Sequence, residues 1–305
     1  KPFRAAIIVA ASFTAVYVLG SLLSSPILRA SAYSKLISVT QSDFKTDIKE
    51  VDYNQIPILD KASAAKLAER EMGNMSDMVS QYEVSSYYSQ INYNQRPTRV
   101  TPLEYGDTIK WIVNRNTGIP GYIKIDMTTQ DVDLIRLEDG IKYSPSEYFN
   151  RDIYRYIRFR YPISMFRNLS FEIDDNGTPF WICSIETHKI GLFGGIDIKG
   201  IVVVNAINGE HGYYDVQSIP SWIDTVYDAP LLIAQYDYYG TLRNGFINSI
   251  FGQKDCLSTT EGYNYIALND DVWVYSGVTS VGGDESIIGF VLINQRTKEA
   301  NYYKV

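Results

Sequence analysis

The sequence predicts an α+β protein with an N-terminal transmembrane helix followed by three repeated units, each a helix packed on an antiparallel sheet. The main observation is a repeat, because the 17 residues of Gly200–Val216 return as Gly289–Val305 with seven identities. A second observation is that Ala5–Leu23 is a run of 19 residues without a charge. The third is a content of 25 tyrosines, which favours β structure over helical bundles.

Each repeated segment has the pattern of a buried strand, a polar turn and a second strand whose Tyr-Tyr pair places one ring on either face. A strand centred on a tryptophan precedes each copy, with Trp181 before the first and Trp273 before the second. A fainter third copy leads from a strand around Trp111 into Gly121–Asp126 and Asp131–Ile135. Three copies indicate duplication of one unit. The alternative is that any hairpin-rich chain contains matches of this size by chance.

Composition sets the size and the class of the protein. The 305 residues, 45% of them hydrophobic, are enough for two or three domains with cores of their own. The formal net charge of −7 and the pI near 5.0 argue against a nucleic-acid binder held by phosphate contacts. We therefore expect no nucleic-acid partner.

Ala5–Leu23 is about long enough to cross the hydrocarbon core of a bilayer, and we interpret it as a membrane anchor. Lys1 and Arg4 favour a cytoplasmic N-terminus, which places the rest of the chain on the other side. The expected localisation is therefore the cell membrane, single-pass, with the bulk of the chain extracytoplasmic. Two alternatives remain: a signal peptide, for which Ala30 and Ala32 offer small residues, and a buried core helix.

The predicted organisation is a cytoplasmic stub with the transmembrane helix (1–23), a stalk (24–59) and three α+β units (60–137, 138–216 and 217–305). Each unit is expected to begin with a helix. The three helices are Lys61–Met72, capped by Asp60 or Ser63 and stopped at Gly73; Ser146–Arg160; and Leu231–Tyr239 with Leu242–Phe251, interrupted at Gly240.

The second helix carries the most conspicuous charge pattern of the chain. Arg151, Arg155 and Arg158 fall at i, i+4 and i+7, so a helix places them in one basic stripe. On an acidic protein such a stripe is a candidate contact for anionic lipid headgroups or for an acidic partner. The alternative is that the arginines are solvated and pair with nearby carboxylates.

The turn sequences connect the repeats to a known family. The runs are Val204–Glu210 (VNAINGE), Ile293–Glu299 (INQRTKE) and Ile125–Asp131 (IDMTTQD). They resemble the Val-Asp-x-x-Thr-Gly-Glu turn of PepSY-type domains, small extracytoplasmic modules in which a helix packs on an antiparallel sheet. Insertions around Gly191 and at Val281–Ser286 depart from that pattern. The resemblance implies a membrane-anchored bacterial protein that inhibits, chaperones or senses at the cell envelope, with no catalytic residues to carry over.

Motifs for catalysis or cofactor binding are missing from the sequence. The two histidines, His188 and His211, lie at no metal-ligand spacing from each other or from a cysteine, so no metal or other cofactor is expected. Glu172, Asp174 and Asn176 imitate a calcium loop, but its twelfth position is Cys183 where a glutamate is required, and we predict a hairpin turn instead.

Cys183 and Cys256 are the only cysteines. In an oxidising exterior they are candidates for a disulfide between the second and third units, which would stabilise the fold by about 4 kcal/mol. The alternative is that Cys183 is a small buried hydrophobic residue.

These observations favour a non-enzymatic binding or scaffold protein that acts through protein–protein contacts at the cell envelope, its partner being another envelope protein or a second copy. One alternative is an envelope hydrolase or its regulatory subunit, which must bring at least two carboxylates together in a pocket. Another is a structural subunit of a membrane-anchored oligomer.

Overall fold

A computed structural model describes residues 2–47, 57, 59–268, 270–281 and 286–305. Lys1, residues 48–56 and 58 of the predicted stalk, Asn269, and residues 282–285 of the predicted insertion lie outside the described residues. In the described part the α-helices are α1 Pro2–Leu23, α2 Pro26–Tyr33, α3 Phe44–Asp47, α4 Lys61–Asn74, α5 Thr108–Asn114, α6 Ile153–Arg160 and α7 Ala229–Leu242. A short 3-10 helix, Phe149–Arg151, precedes α6, and a short π-helix, Asn248–Gly252, follows α7.

The strands form three sheets in a mixed α+β fold. Their bounds are β1 Val39–Ser42, β2 Tyr82–Val84, β3 Ser89–Tyr93, β4 Arg96–Tyr105, β5 Ile119–Asp126, β6 Val132–Ile141, β7 Met165–Ile173, β8 Pro179–Ile190, β9 Gly194–Asn205, β10 His211–Asp215, β11 Leu257–Thr259, β12 Asn264–Leu268, β13 Asp271–Ser280, β14 Ile287–Asn294 and β15 Ala300–Lys304. Sheet 1 has the order β2-β4-β5-β6, with β3 also paired to β4. Sheet 2 is β10-β9-β8-β7. Sheet 3 is β1-β15-β14-β13-β11, with β12 also paired to β13.

The last hairpin of each sheet has the same register. Val204 pairs with His211 in sheet 2, Ile293 with Ala300 in sheet 3 and Ile125 with Val132 in sheet 1. The turns also match, because in each of them one side-chain Oδ1 accepts hydrogen bonds from two backbone N–H groups, at 2.8–3.1 Å. The residues that carry this oxygen are Asp126, Asn205 and Asn294.

The tryptophans do not follow the repeat as the sequence predicts. Trp111 lies on α5, because Asp107 caps a helix there by accepting from the Lys110 N–H at 2.9 Å. Trp181 and Trp273 do lie on strands, but Trp181 pairs with Val204 whereas Trp273 pairs with Asn294, one register position apart. Since side chains alternate along a strand, the two rings lie on different faces of their sheets.

The predicted helices form with shifted ends. Asp60 caps α4 by accepting from Ser63 N–H at 2.7 Å, which confirms one of the two predicted caps. The helix of the second unit begins later than predicted, at Ile153, where Asp152 accepts from Arg155 N–H. The expected interruption at Gly240 is wrong. α7 runs through it, and Gly240 lets the helix approach β11 so closely that a Cβ would lie 2.2 Å from the Leu257 oxygen.

The N-terminal helix is apolar and uncovered. Phe3–Leu23 has a mean hydropathy of 2.2 and only 6% of it is buried, so it is long and apolar enough to cross a membrane. A buried core helix would be covered by the rest of the chain, which leaves a membrane anchor and a signal sequence as interpretations. Part of the predicted stalk is ordered structure, since α2 follows at once and β1 adds a parallel strand to sheet 3.

Two main cores lie on opposite faces of sheet 2. One face packs against α6, α4 and sheet 1, with Trp181 fully buried at its centre. The other face packs against α7 and sheet 3 around Tyr236 and Ile201. Because both faces of sheet 2 are covered, the three sheets form one continuous packed body.

Candidate functional site

A cavity of 570 Å³ lies where the three sheets meet. Arg99 of sheet 1, Ser170 of sheet 2 and Tyr265 of sheet 3 all line it. Tyr88, directly before β3, and Asp228, directly before α7, complete this part of the wall. That volume falls in the range of small-ligand pockets, which form preferentially where domains meet. The cavity is therefore the best candidate for a binding site in the described part of the chain.

A buried arginine dominates this cavity. Arg99 is 6% exposed and neighbouring Gln90 is 8% exposed. One guanidinium nitrogen of Arg99, Nη2, donates to Gln90 Oε1 at 3.1 Å. Arg99 Nε and Gln90 Nε2 have no hydrogen-bond partner among the described residues. No described carboxylate lies within ion-pair distance of Arg99, and Asp60 attracts its charge only from farther away. A buried cation without a directly bonded counter-ion is costly, so this arrangement favours an anion that enters the cavity.

The position of Arg99 is apolar in the other two sheets. In each sheet one pair of residues on neighbouring strands lies at the same register position relative to the matched turn. These pairs are Gln90–Arg99 in sheet 1, Phe171–Trp181 in sheet 2 and Tyr265–Val274 in sheet 3. Such a departure from the core pattern is typical of a functional position.

Two helix N-termini lie near Arg99. The first residues of α4 and α7, Lys61 and Ala229, both line the cavity, so the positive ends of two helix dipoles lie at its wall, that of α4 being capped by the Asp60 carboxylate. Asp228 is the one acidic residue among the described lining residues, and it is neutralised by Arg167, whose Nε and Nη2 donate to its two oxygens at 2.6 and 3.2 Å.

Burial also changes the proton affinities of the lining. It lowers the pKa of the Arg99 guanidinium, which nevertheless stays charged because an arginine pKa starts above 12. Burial raises the pKa of Tyr88 to about 12 and that of Tyr265 further. Both phenols are therefore neutral hydrogen-bond donors at physiological pH, which suits an anionic ligand.

Two fully buried carboxyls lie beneath the cavity. Glu172 accepts from the backbone N–H groups of Asp224 and Thr225 at 2.9 and 3.1 Å. Asp224 accepts from the Asn92 N–H at 2.7 Å, so the network joins sheets 1 and 2 through the segment that precedes α7. Burial raises the pKa of both carboxyls, and the charge of Glu172 raises that of Asp224 further. Neither residue lines the cavity.

We expect Asp224→Asn to stabilise the protein at pH 7.5 and to flatten its dependence on pH. The folded state binds these protons more tightly than the unfolded chain, so the pair's contribution to stability falls as pH rises above about 4 through the raised pKa values. Asparagine removes the charge and can keep the bond from Asn92. Thermal unfolding at pH 5.5 and 7.5 should show the variant's midpoint about 2–4 °C higher at pH 7.5, which is what about 1 kcal/mol produces in a large domain.

The control for that prediction is Asp139→Asn, since the Asp139 side chain is 79% exposed and its ion pair with Lys142 is long, at 3.9 Å. Its midpoints should match those of the native chain at both pH values. If the midpoints of Asp224→Asn and of the native chain change equally between pH 5.5 and 7.5, the Asp224 carboxyl is not the source of the pH dependence.

The arginines of the predicted stripe have different environments. Arg151 lies on the 3-10 helix and donates to the Arg115 carbonyl at 2.6 Å. Arg158 donates to the Ser164 carbonyl at 2.7 Å and lies over the Phe166 ring. Arg155 is exposed on α6 and lines a second, separate cavity. The stripe thus stays at the surface, away from the central cavity, and two of its three members bind backbone carbonyls.

The two cysteines are free and buried, so the predicted disulfide is absent from the structure. Cys183 packs in the core around Trp181, where burial raises its pKa to about 12. Cys256 instead lies beside Asn248 and Thr241 near the end of α7. No group of three or more His, Cys, Asp or Glu side chains among the described residues is placed to hold a metal ion.

The sequence interpretation missed Arg99 and Gln90, although a signal for them exists. The three segments can be aligned at Asp126, Asn205 and Asn294, and the alignment can be extended back through the strand that precedes each hairpin. A charged residue in the first segment then aligns with apolar residues in the other two. No protein-family model, curated protein or solved structure matches the chain.

Proposed function

We propose that the chain is a membrane-tethered extracytoplasmic binding protein whose central cavity receives an anionic group, a carboxylate or a phosphate, carried by another envelope protein. Arg99 is the observation that supports this most directly, because no carboxylate among the described residues forms a direct ion pair with its buried charge and its Nε has no hydrogen-bond partner there. An anion that enters the cavity would accept a charge-assisted, bidentate hydrogen bond from the Arg99 guanidinium.

The packing of α1 supports a permanent tether over a cleaved signal. Ser24, directly after α1, is 2% exposed, and its carbonyl accepts from the Tyr33 hydroxyl at 2.7 Å. Its Oγ accepts from the backbone N–H groups of Leu192 and Phe193. Cleavage near Ala30 or Ala32 would remove these contacts from the folded body.

The matched hairpins support the interpretation of the chain as three PepSY-type units. All three share the hairpin register and the Asx turn, and a helix precedes each sheet in the chain. Under this proposal the units have diverged at the Arg99 position, where one unit has become the binding element.

The carboxylates that line the cavity are too few for the alternative of an envelope hydrolase, which favours a binding function. Hydrolysis by carboxylates needs two of them facing one substrate bond. The described lining contains Asp228 alone, held by Arg167, while Glu172 and Asp224 lie beneath the wall and out of reach.

The proposal is tested by the thermal midpoint of the full chain in detergent, with chloride replaced by sulfate or by acetate at constant ionic strength. A ligand that binds only the folded state at ten times its Kd adds about 1.4 kcal/mol, so we expect one of the anions to raise the midpoint by about 2–4 °C. Arg99→Gln should leave only the smaller rise that a salting-out anion gives to any folded protein.

Arg136→Gln is the matched control, because Arg136 is 55% exposed and pairs with Asp77 at the surface. It should retain the full response. An identical response in Arg99→Gln, or none in the native chain, would overturn the proposed site. Whether sulfate or acetate gives the larger rise distinguishes a phosphate-like ligand from a carboxylate.

A further inference from the structure

We propose that the end of the molecule beside α1 rests on the bilayer through a basal surface formed by Leu192, Phe193, Ile247, Ile250 and Phe251. This inference rests on the proposed membrane tether. All five are exposed in the structure, with Phe251 83% and Ile247 74% exposed. A cluster of this kind on a protein surface marks an interaction site, and the lipid surface is the occupant that its position selects.

The first part of the basal surface lies directly beside the anchor. The Phe193 ring is 5.6 Å from the Tyr17 ring, and Gly20 leaves room for it, since a Cβ there would lie 2.7 Å from Phe193. Tyr17 is six residues before the end of α1, which is about 9 Å along a helix. Where α1 crosses the membrane, Phe193 therefore lies at the depth of the outer leaflet.

The second part follows α7 and is held at the same end of the molecule. Phe246 packs with Leu242, Tyr33 and Ile190 in a small core between α2, α7 and the end of β8. Ile190 directly precedes the loop that carries Leu192 and Phe193. The exposed Ile247, Ile250 and Phe251 thus lie at the same end of the molecule as Leu192, Phe193 and the anchor.

Basic residues occur around this apolar surface. Arg29, on α2, and Arg243 and Lys254, on either side of the π-helix, are all exposed. Exposed arginine and lysine next to apolar side chains suit an anionic headgroup layer above a hydrocarbon region. The combination is that of an interfacial membrane contact, which would fix the orientation of the units on the membrane.

The test attaches the environment-sensitive fluorophore NBD to single introduced cysteines in the full chain. The positions are Leu192→Cys and Phe251→Cys, with Glu210→Cys as control. Glu210 is exposed on the turn at the other end of the twelve-residue strand β9, roughly 35 Å away. Native Cys183 and Cys256 are 4% and 1% exposed and do not compete for the label in the folded protein.

The chain is reconstituted into vesicles of phosphatidylcholine and phosphatidylglycerol, and incorporation is checked by flotation. At positions 192 and 251 we expect blue-shifted emission that brominated lipid quenches at least twofold more than at position 210. If the chain floats but position 251 is quenched no more than position 210, the proposed contact between the basal surface and the bilayer is wrong, while the membrane tether is retained. Blue-shifted but unquenched emission would place a second copy of the chain on the surface and also overturn the inference. Failure to float would overturn the tether and this inference together.

Discussion

The double variant Gln90→Leu/Arg99→Met is expected to be more stable than the native chain while losing its response to anions. Both native side chains are more than nine-tenths buried, and each has a nitrogen without a partner among the described residues. Changing both avoids leaving Gln90 without its hydrogen bond from Arg99. Replacing buried ionic groups by well-packed apolar ones of similar volume is often neutral or stabilising, by up to about 4 kcal/mol, and the unpartnered nitrogens here place this pair on the stabilising side.

The measurement is thermal unfolding of the full chain in detergent, with and without sulfate or acetate. The midpoint should rise by several degrees without anion, and added anion should move it by no more than its general salting-out effect, which is less than the shift of the native chain. Arg136→Met, at an exposed position, should shift stability by less than about 0.5 kcal/mol. A less stable double variant would mean that the native Arg99–Gln90 pair is a structural element and not a site kept for a ligand.

Trp181→Ala is expected to produce the largest loss of stability of any substitution considered. Trp181 is fully buried, and its Nε1–H donates to the Tyr143 carbonyl at 2.7 Å. Its ring also meets Phe171 of the same sheet and Tyr87 edge-on, at 5.2 and 5.4 Å, and the Tyr87 contact links sheet 2 to the segment between β2 and β3. Truncating a buried tryptophan costs about 3–5 kcal/mol, and here it also leaves a buried carbonyl unpaired.

The control is Trp222→Ala, because Trp222 is half-buried and its ring lies tilted against that of Phe180, with centroids 4.9 Å apart, at the edge of the second core. Urea unfolding followed by circular dichroism should give it less than half the loss seen for Trp181→Ala. Comparable losses for the two variants would contradict the central role of Trp181 in joining the sheets.

The repeated hairpins were predictable because their information is local. The Asn205 and Asn294 turns and the Tyr-Tyr strands are set by residues within 17 positions of each other, and the structure gives both copies the same register. The helix at Lys61 was predictable for the same reason, since its cap and its alanine-rich face are adjacent in sequence.

The errors arose where tertiary contacts decide the structure. The short apolar run around Trp111 fits either a strand or a helix, and the Asp107 cap was the overlooked signal. Gly240 looked like a helix breaker because the approach of Leu257 is invisible in the sequence. The cavity around Arg99 needs three segments that come together only when the sheets pack, so sequence spacing could not predict it.

The parallel pairing of β1 with β15 has a consequence for the order of events during synthesis. Val39 and its partner Ala300 are about 260 residues apart, so β1 is synthesised well before the strand with which it pairs. At translation rates of about 5–20 residues per second, β1 waits roughly 10–50 s for its neighbour. The anchor can therefore enter the bilayer, and the first two sheets can fold, well before the third sheet receives its outermost strand.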